Sequence, residues 1–347
     1  MKLHRLISKS DGLRPIIQRW VLSQRMRFPK LVSLELTNAC NAKCTMCPRD
    51  KMTRPVKLMD FSLIKDIALE LREQNVHRVN LFWFGESLLH PKCFEVMRFL
   101  RKSLPRTKLN LSTNGQLLDG DIAMGVLSSG IDNLNVDIDG YEKDTYESVR
   151  KKLSFERVTR NVVEFMKLRE VMKLQRPKVS VTIIEMESTE GEIVPFRRRW
   201  KRVVDDVLVT KFNTWCQNVR DRNVLSEREG LDGKGFTFPC ENPWKELVIS
   251  ADGKALACCL DFNCSMPVGD AKIQTIKEIW RGQEMNKIRK ALTDGKQNEI
   301  PLCKGCNAFI FQEDGFWANL WRRDGIPSDR HGRRARADVT QIHGRRS

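Results

Sequence analysis

The chain has 347 residues with 41% hydrophobic and 30% charged content, a formal net charge of +17 and eleven cysteines. That is the make-up of a globular protein large enough for one big domain, or a domain plus an appendage. No apolar run approaches the roughly 20 residues of a membrane span, and no apolar h-region follows "MKLHRLISKS", so the expected compartment is cytoplasmic.

Residues 1–30 carry eight Lys/Arg against one Asp, a basic N-terminal extension. From residue 31 to about 213 the sequence keeps a beat. Apolar, β-branched runs recur at "LVSLELT" (31–37), "VNLFWFG" (79–85), "KLNLSTNG" (108–115), "NLNVDID" (133–139), "KVSVTIIEM" (178–186) and "VDDVLVTKF" (204–212). Helical stretches fill most intervals: "FSLIKDIALELREQ" follows Asp60 as an N-cap, and "PKCFEVMRFLRKS" places Pro91 in a first turn. Strands alternating with helices imply a parallel sheet, and six such units predict a complete or partial (β/α) barrel. Its chemistry belongs at the C-terminal ends of the strands.

The loop after the first strand reads "TNACNAKCTMCPR", with Cys40, Cys44 and Cys47 at a C-x3-C-x2-C spacing. A cysteine-rich chain without an export signal is expected to bind metal rather than form disulfides. Structural zinc and a closed iron–sulfur cubane both want four protein ligands, so three leave one metal corner open. Here the sequence resembles the radical S-adenosylmethionine (radical SAM) enzymes. In that family three such cysteines hold a [4Fe–4S] cluster in a partial (β/α)6 barrel, and the open iron chelates the amino and carboxylate groups of S-adenosylmethionine. The reduced cluster cleaves that cofactor to a 5′-deoxyadenosyl radical, which abstracts hydrogen from the substrate.

The resemblance extends to other strand ends. "FWFGESLLHP" is similar to the family's Gly-Gly-Glu-Pro motif, with Gly85 and Glu86 matching and Phe84 and Ser87 departing from it. It implies that Gly85 and Glu86 receive the cofactor's amino group. Asp137 and Asp139, spaced to share one face of a strand, stand where the family binds the ribose hydroxyls. Arg150 matches an Arg that pairs with the cofactor's carboxylate, and Met46 takes the place of an aromatic ring against the adenine.

After a linker at 214–239, a second cysteine-bearing segment spans 240–310. Cys240, Gly253, Cys258, Cys303 and Cys306 resemble the SPASM extension of radical SAM enzymes, in the form that carries one auxiliary [4Fe–4S] cluster. The resemblance implies Cys240, Cys258, Cys303 and Cys306 as its ligands. A zinc ribbon also fits a C-x2-C with two scattered partners, and Cys259 is an alternative to Cys258. "TIKEIWRG" between them reads as an amphipathic helix with Ile276, Ile279 and Trp280 on one side. Cys93 is expected in the core. Cys216, past the sixth strand, is expected near the barrel mouth, either packed or as a hydrogen-atom donor. Residues 311–347 form a C-terminal segment whose last 26 residues carry eight Arg against three Asp. They read as a solubilising disordered tail, with contact to an anionic surface as the sharper alternative.

A fully ligated auxiliary cluster is suited to accept an electron. The expected function is therefore a radical SAM oxidoreductase acting on a small sugar- or cyclitol-like molecule, reduced by a flavodoxin- or ferredoxin-like donor. A peptide maturase, a redox-neutral epimerase using Cys216, and a non-catalytic iron–sulfur or zinc protein binding nucleic acid are the alternatives. Nothing in the sequence requires nucleic acid.

Overall fold

The computed structural model describes residues 26–74, 76–216, 218–219, 240–304 and 306. Most of the basic N-terminal extension, most of the linker and the whole C-terminal segment from 311 lie outside the described residues.

All six expected strands form: β1 Leu31–Leu34, β2 Arg78–Asn80, β3 Lys108–Thr113, β4 Asn133–Asp137, β5 Lys178–Glu185 and β6 Asp206–Lys211. They pair in parallel in that order. Between them run α1 Phe61–Glu73, α2 Cys93–Ser103, α3 Gly120–Leu127, α4 Lys143–Val149, α5 Phe155–Val171 and α6 Ile193–Trp200. This is a partial (β/α)6 barrel.

Strand periodicity explains its two surfaces. Val32, Leu34, Val79, Leu109, Leu111, Leu134, Val136, Val179 and Val181 belong to one buried cluster with helix residues such as Ile64, Leu71, Val96 and Phe165. Burying each such side chain is worth about 1.5–3 kcal/mol. With side chains alternating along a strand, the other face carries Ser33, Asn80, Asn110, Ser112, Asn133, Asn135, Asp137, Ser180 and Thr182. Helix starts differ in detail from the sequence reading. Asp60 is the N-cap of α1 but makes no side-chain cap bond, and α2 begins at Cys93, leaving Pro91 just before the helix. Cys93 itself is buried in the core, as expected.

The C-terminal segment continues the same sheet. Its elements are α7 Asn242–Lys245, β7 Glu246–Ile249, β8 Lys254–Leu256, β9 Pro267–Asp270, α8 Ile276–Arg281 and α9 Gln283–Thr293. β7 pairs in parallel with the free edge of β1, from Leu31↔Glu246 to Leu34↔Ile249. The nine strands therefore run β9-β8-β7-β1-β2-β3-β4-β5-β6. Ile276, Ile279 and Trp280 are buried as their spacing implied, and Thr275 with Glu278 makes a capping box. Glu70 of α1 accepts the backbone N–H groups of Ile276 and Lys277 at 2.7 and 2.8 Å, tying α8 to the barrel. No helix among the described residues is long and apolar enough to cross a membrane.

One buried ion pair joins the three parts that matter most. Glu35, just past β1, takes Arg54 through both oxygens, at 2.6 and 2.5 Å, and also the Ala251 N–H at 2.9 Å. Arg54 also donates to the Phe262 carbonyl at 2.7 Å. Replacing Arg54 with Ala strands a buried carboxylate, which costs about 3–5 kcal/mol. A matching fall in the denaturant midpoint is expected; an unchanged midpoint would show that the pair's desolvation cancels its attraction.

Candidate active site

The loop after β1 is held in place before its cysteines are reached. Asn38 accepts the Lys57 N–H and donates to Pro55 O, and Thr37 bonds Lys57 O. Cys44 lies in a two-residue ladder, Lys43–Cys44 against Arg150–Lys151. The Cys47 N–H bonds Cys44 O at 3.1 Å, and Cys47 starts the turn Pro48–Lys51. The Ala42 N–H points at the Cys40 sulfur at 3.5 Å. Cys40 and Cys47 both act electrostatically on Cys44. Burial pushes the Cys44 thiol up to about 12, and nearby Arg150 opposes that rise. Such thiols lose their protons when metal binds.

Glu86 is not a solvated strand end but 2% exposed. Its Oε1 accepts from Thr113 Oγ1 (2.9 Å) and Leu88 N (3.3 Å), and its Oε2 from Asn114 N (2.8 Å). Gly85 has φ +86°, and a Cβ there would stand 2.2 Å from Thr37 O, so only glycine lets the β2 turn press on the cysteine loop. Asp137 accepts from Ser112 Oγ (3.0 Å) and Asn135 Nδ2 (2.7 Å).

Asp139 and Arg150 are partnered with each other. Arg150 Nε and Nη2 reach Asp139 Oδ2 at 2.8 and 2.6 Å, the Ile184 N–H reaches Oδ1 at 2.7 Å, and Arg150 Nη1 lies 3.8 Å from the Cys44 sulfur. Arg150 is thus a buried strut between β4 and the cysteine loop. Met46 packs with Val149, Met186 and Phe212. Sequence reasoning missed Arg49. Its Nε and Nη1 are buried and have no hydrogen-bond partner among the described residues, and its charge acts on Cys47. Its only signal was a cation two residues past the last thiol.

The auxiliary cysteines assemble from three places. Gly253, at φ +89°, turns the β7–β8 hairpin and brings Cys258 toward Cys240. Cys303 and Cys306 follow the turn Gln297–Glu299, their N–H groups bonding Ile300 O and Cys303 O. Cys258, Cys306 and Cys303 all act on Cys240, which burial pushes up to about 12. Cys258 and burial push the Cys259 thiol up, and Asn242 Nδ2 lies 3.8 Å from the Cys259 sulfur. Cys216 is half-buried, and the Cys306 thiol and burial push its own thiol up.

The donor sets suit iron–sulfur clusters: three thiols in one loop, and a separate thiol group closed on itself. Among the described residues no three His, Cys, Asp or Glu side chains converge as on a single ion. A cubane asks for no such point, since each thiolate takes its own iron. The auxiliary segment also buries the guanidinium of Arg289, with no carboxylate paired to it among the described residues. Burial lowers that group to about 10, and its Nη2 has no hydrogen-bond partner. A cleft of about 1150 Å³ opens at the opposite ends of the strands, by Leu31, Arg78 and Lys108, away from the cysteine loop.

Comparisons with known proteins agree with this geometry. Residues 34–177 match the Radical SAM superfamily, and residues 240–307 match the SPASM iron–sulfur cluster-binding domain. GTP 3′,8-cyclase of Chlorobaculum tepidum is 26% identical over 148 residues, 42% of this chain and 44% of that protein, so the match spans less than half of it. The S-adenosyl-L-methionine-dependent 2-deoxy-scyllo-inosamine dehydrogenase of Niallia circulans is 21% identical over 291 residues, 82% of this chain and 95% of its own length. The structure of Streptococcus suis SuiB bound to S-adenosylmethionine superposes with a TM-score of 0.64 at 14% identity, covering 93% of this chain and 85% of that one. That is a likeness of fold.

Burial pushes the Glu86 carboxyl up from its ordinary 4.5 to about 7. Between those values the native chain holds a proton that the unfolded chain has released, so stability falls as pH rises through the window. The loss is up to about 3 kcal/mol. Glu86→Gln should flatten that slope in denaturant midpoints taken between pH 5 and 7.5. A slope equal to that of the parent would show that Glu86 is already ionised at pH 5.

Proposed function

The chain belongs to the radical SAM superfamily and carries a SPASM-type iron–sulfur domain, and from that premise we propose that it is an oxidoreductase. It cleaves S-adenosylmethionine reductively and dehydrogenates a small hydroxyl-bearing molecule of the sugar or cyclitol kind. One observation carries the reading: Cys240, Cys258, Cys303 and Cys306 lie within one another's fields. They are enough to close every iron of the auxiliary cubane and fit it to move electrons rather than hold substrate. The end-to-end similarity to the Niallia circulans dehydrogenase supports the same class.

When bound, S-adenosylmethionine and the two clusters would supply one-electron chemistry: the reducing electron, the hydrogen-abstracting group and an electron acceptor. The chain's residues bind and orient. Each carboxylate oxygen has two lone pairs, so Glu86 Oε2, with one donor from the chain, accepts one more from the cofactor's ammonium. Asp137, one donor on each oxygen, has room for both ribose hydroxyls. Arg49 takes the cofactor carboxylate, because Arg150 is engaged by Asp139 and Cys44. Met46, buried beside the loop, packs on the adenine. Near the strand ends, the Ser112 and Thr182 hydroxyls of β3 and β5 keep acceptor capacity for a polyol. A flavodoxin- or ferredoxin-like carrier supplies the first electron.

Reconstituted protein is expected to hold about eight iron atoms as two cubanes. Changing Cys40, Cys44 and Cys47 to Ala should leave about four and abolish 5′-deoxyadenosine formation. The Cys240→Ala/Cys303→Ala variant should still release 5′-deoxyadenosine while forming no oxidised product. Circular dichroism must first show that it is folded, since metal-held segments can unfold without their metal. A folded variant that turns substrate over at the parental rate would remove the auxiliary cluster as electron acceptor, and the oxidoreductase reading with it.

A further inference from the structure

The cleft at the strand starts is one-sided in charge. Six exposed cations line it: Lys30, Arg72, Arg78, Lys102, Arg106 and Lys245. None of the six makes an ion pair among the described residues. Lys108 lines it as well but reaches Asp132 at 3.7 Å, and Glu241 is the one acidic residue of the lining. Glu246, whose carboxyl feels Arg78 and Lys245, accepts the Ser33 hydroxyl instead. Helix dipoles favour cations in a last turn, which accounts for Arg72 of α1, Lys102 of α2 and Lys245 of α7. Lys30 and Arg78 stand at strand starts and Arg106 in a turn, where no helix calls for them. The rim is held by backbone bonds. The His77 and Arg78 N–H groups bond Lys30 O at 3.1 and 3.3 Å, and Thr107 Oγ1 donates to Val76 O at 2.8 Å.

The same cleft reaches the auxiliary segment. Glu241, next in the chain to Cys240, forms part of its wall, and so does Trp244. Trp244 is buried and belongs to a small apolar cluster on which Cys240 and Cys303 pack. A basic opening thus backs onto the packing of two auxiliary thiols.

We propose that this cleft docks an acidic one-electron carrier protein, which takes the electron off the auxiliary cluster. The inference rests on the proposed role of that cluster as electron acceptor. The reduced cluster loses one electron and the oxidised carrier gains one. Other occupants fit less well. A second copy of this chain brings a net charge of +17. Single-stranded nucleic acid stacks its bases on exposed rings, and the one tryptophan, tyrosine or phenylalanine of the lining, Trp244, is buried. Charge complementarity speeds and orients encounter more than it tightens binding, which suits a carrier that must arrive and leave.

The probe is an oxidised flavodoxin, an acidic FMN protein, added to the reconstituted full chain. Its affinity should fall steeply as salt is added. Arg72→Glu/Lys102→Glu/Arg106→Glu should weaken that affinity about tenfold or more. Electron transfer is followed in the chain with Cys40, Cys44 and Cys47 changed to Ala, where the auxiliary cluster alone gives the reduced EPR signal. Decay of that signal on mixing with flavodoxin should slow by a like factor in the cleft variant. Arg197→Glu/Arg198→Glu/Lys201→Glu, an equal charge change at exposed positions in and after α6, should alter neither. An unchanged affinity in the cleft variant overturns the site, as does an equal loss in the α6 variant. Weakened affinity with an unchanged transfer rate overturns the electron role. Flavodoxin binding untouched by the cleft variant, beside oligonucleotide binding that it abolishes, assigns the cleft to nucleic acid instead. If circular dichroism shows the cleft variant unfolded, Arg72→Gln/Lys102→Gln/Arg106→Gln is read in its place. None of these readouts uses substrate, so their failure is separate from failure of the oxidoreductase reading.

Discussion

The backbone pairing of β1 on both its edges is the constraint from which the arrangement follows. One edge takes β2 and begins the barrel; the other takes β7 and begins the auxiliary segment. A central parallel strand has no freedom to slide without breaking both ladders and turning its apolar residues to the wrong face. Its exit is therefore a fixed point, and the cysteine loop leaves from there. Glu35 converts that point into a joint. Its buried carboxylate is satisfied only when Arg54 from the end of the loop and the Ala251 N–H from the β7–β8 turn are both in place. The two cysteine sets are thus registered against one strand rather than carried by two independent domains.

The same strand periodicity decides what kind of interior results. Outward-facing Val, Leu and Ile are consumed by helix packing, leaving the inward row to Asn, Ser, Thr and Asp. Those residues hydrogen-bond one another across strands: Asn133 to Asn110, Asn110 to Asn80, Asn80 to Ser33 and Ser33 to Glu246. The lower part of the row is saturated by these bonds. Nearer the strand ends, Asp137 keeps lone pairs in reserve. The polarity therefore serves structure at the base and is available for ligands only at the top, where the cysteine loop lies.

Much of this was legible in the sequence, because local patterns report it. Six β-branched runs alternating with helical stretches marked six strands, and the thiol spacings together with the family resemblance pointed to both cysteine sets. What the sequence could not report is which partner a polar side chain takes. Asp139 and Arg150 are 11 residues apart across a helix, and the fold closes them on each other in a pairing that no local pattern announces. The thiols whose charge acts on Cys216 come from residues 258 to 306, a separation no local pattern spans. The polar row was readable from alternation at Asn110/Ser112 and Asn133/Asn135/Asp137, but only once the opposite face was known to be covered by helices.

The two departures in "FWFGES" show how a motif's geometry survives a change of residues. The second glycine is retained at Gly85 because the backbone passes so near Thr37 O and Ala39 O that no side chain fits, and the Glu86 N–H uses that approach to bond Ala39 O at 2.7 Å. The first glycine position has no such contact to protect. Phe84 there sends a buried ring against Trp83, Trp215 and Phe262. The position thereby gains an aromatic seam joining β2 to the segment after β6 and to the auxiliary segment, which Trp83 extends by donating to Cys259 O at 2.6 Å. Ser87, in place of proline, donates to Leu81 O at 2.6 Å and holds the turn by a hydrogen bond where a ring would have held it by restricting φ. The backbone path around Glu86 is thus fixed by different chemistry at each neighbour, while the glycine whose space is contested does not change.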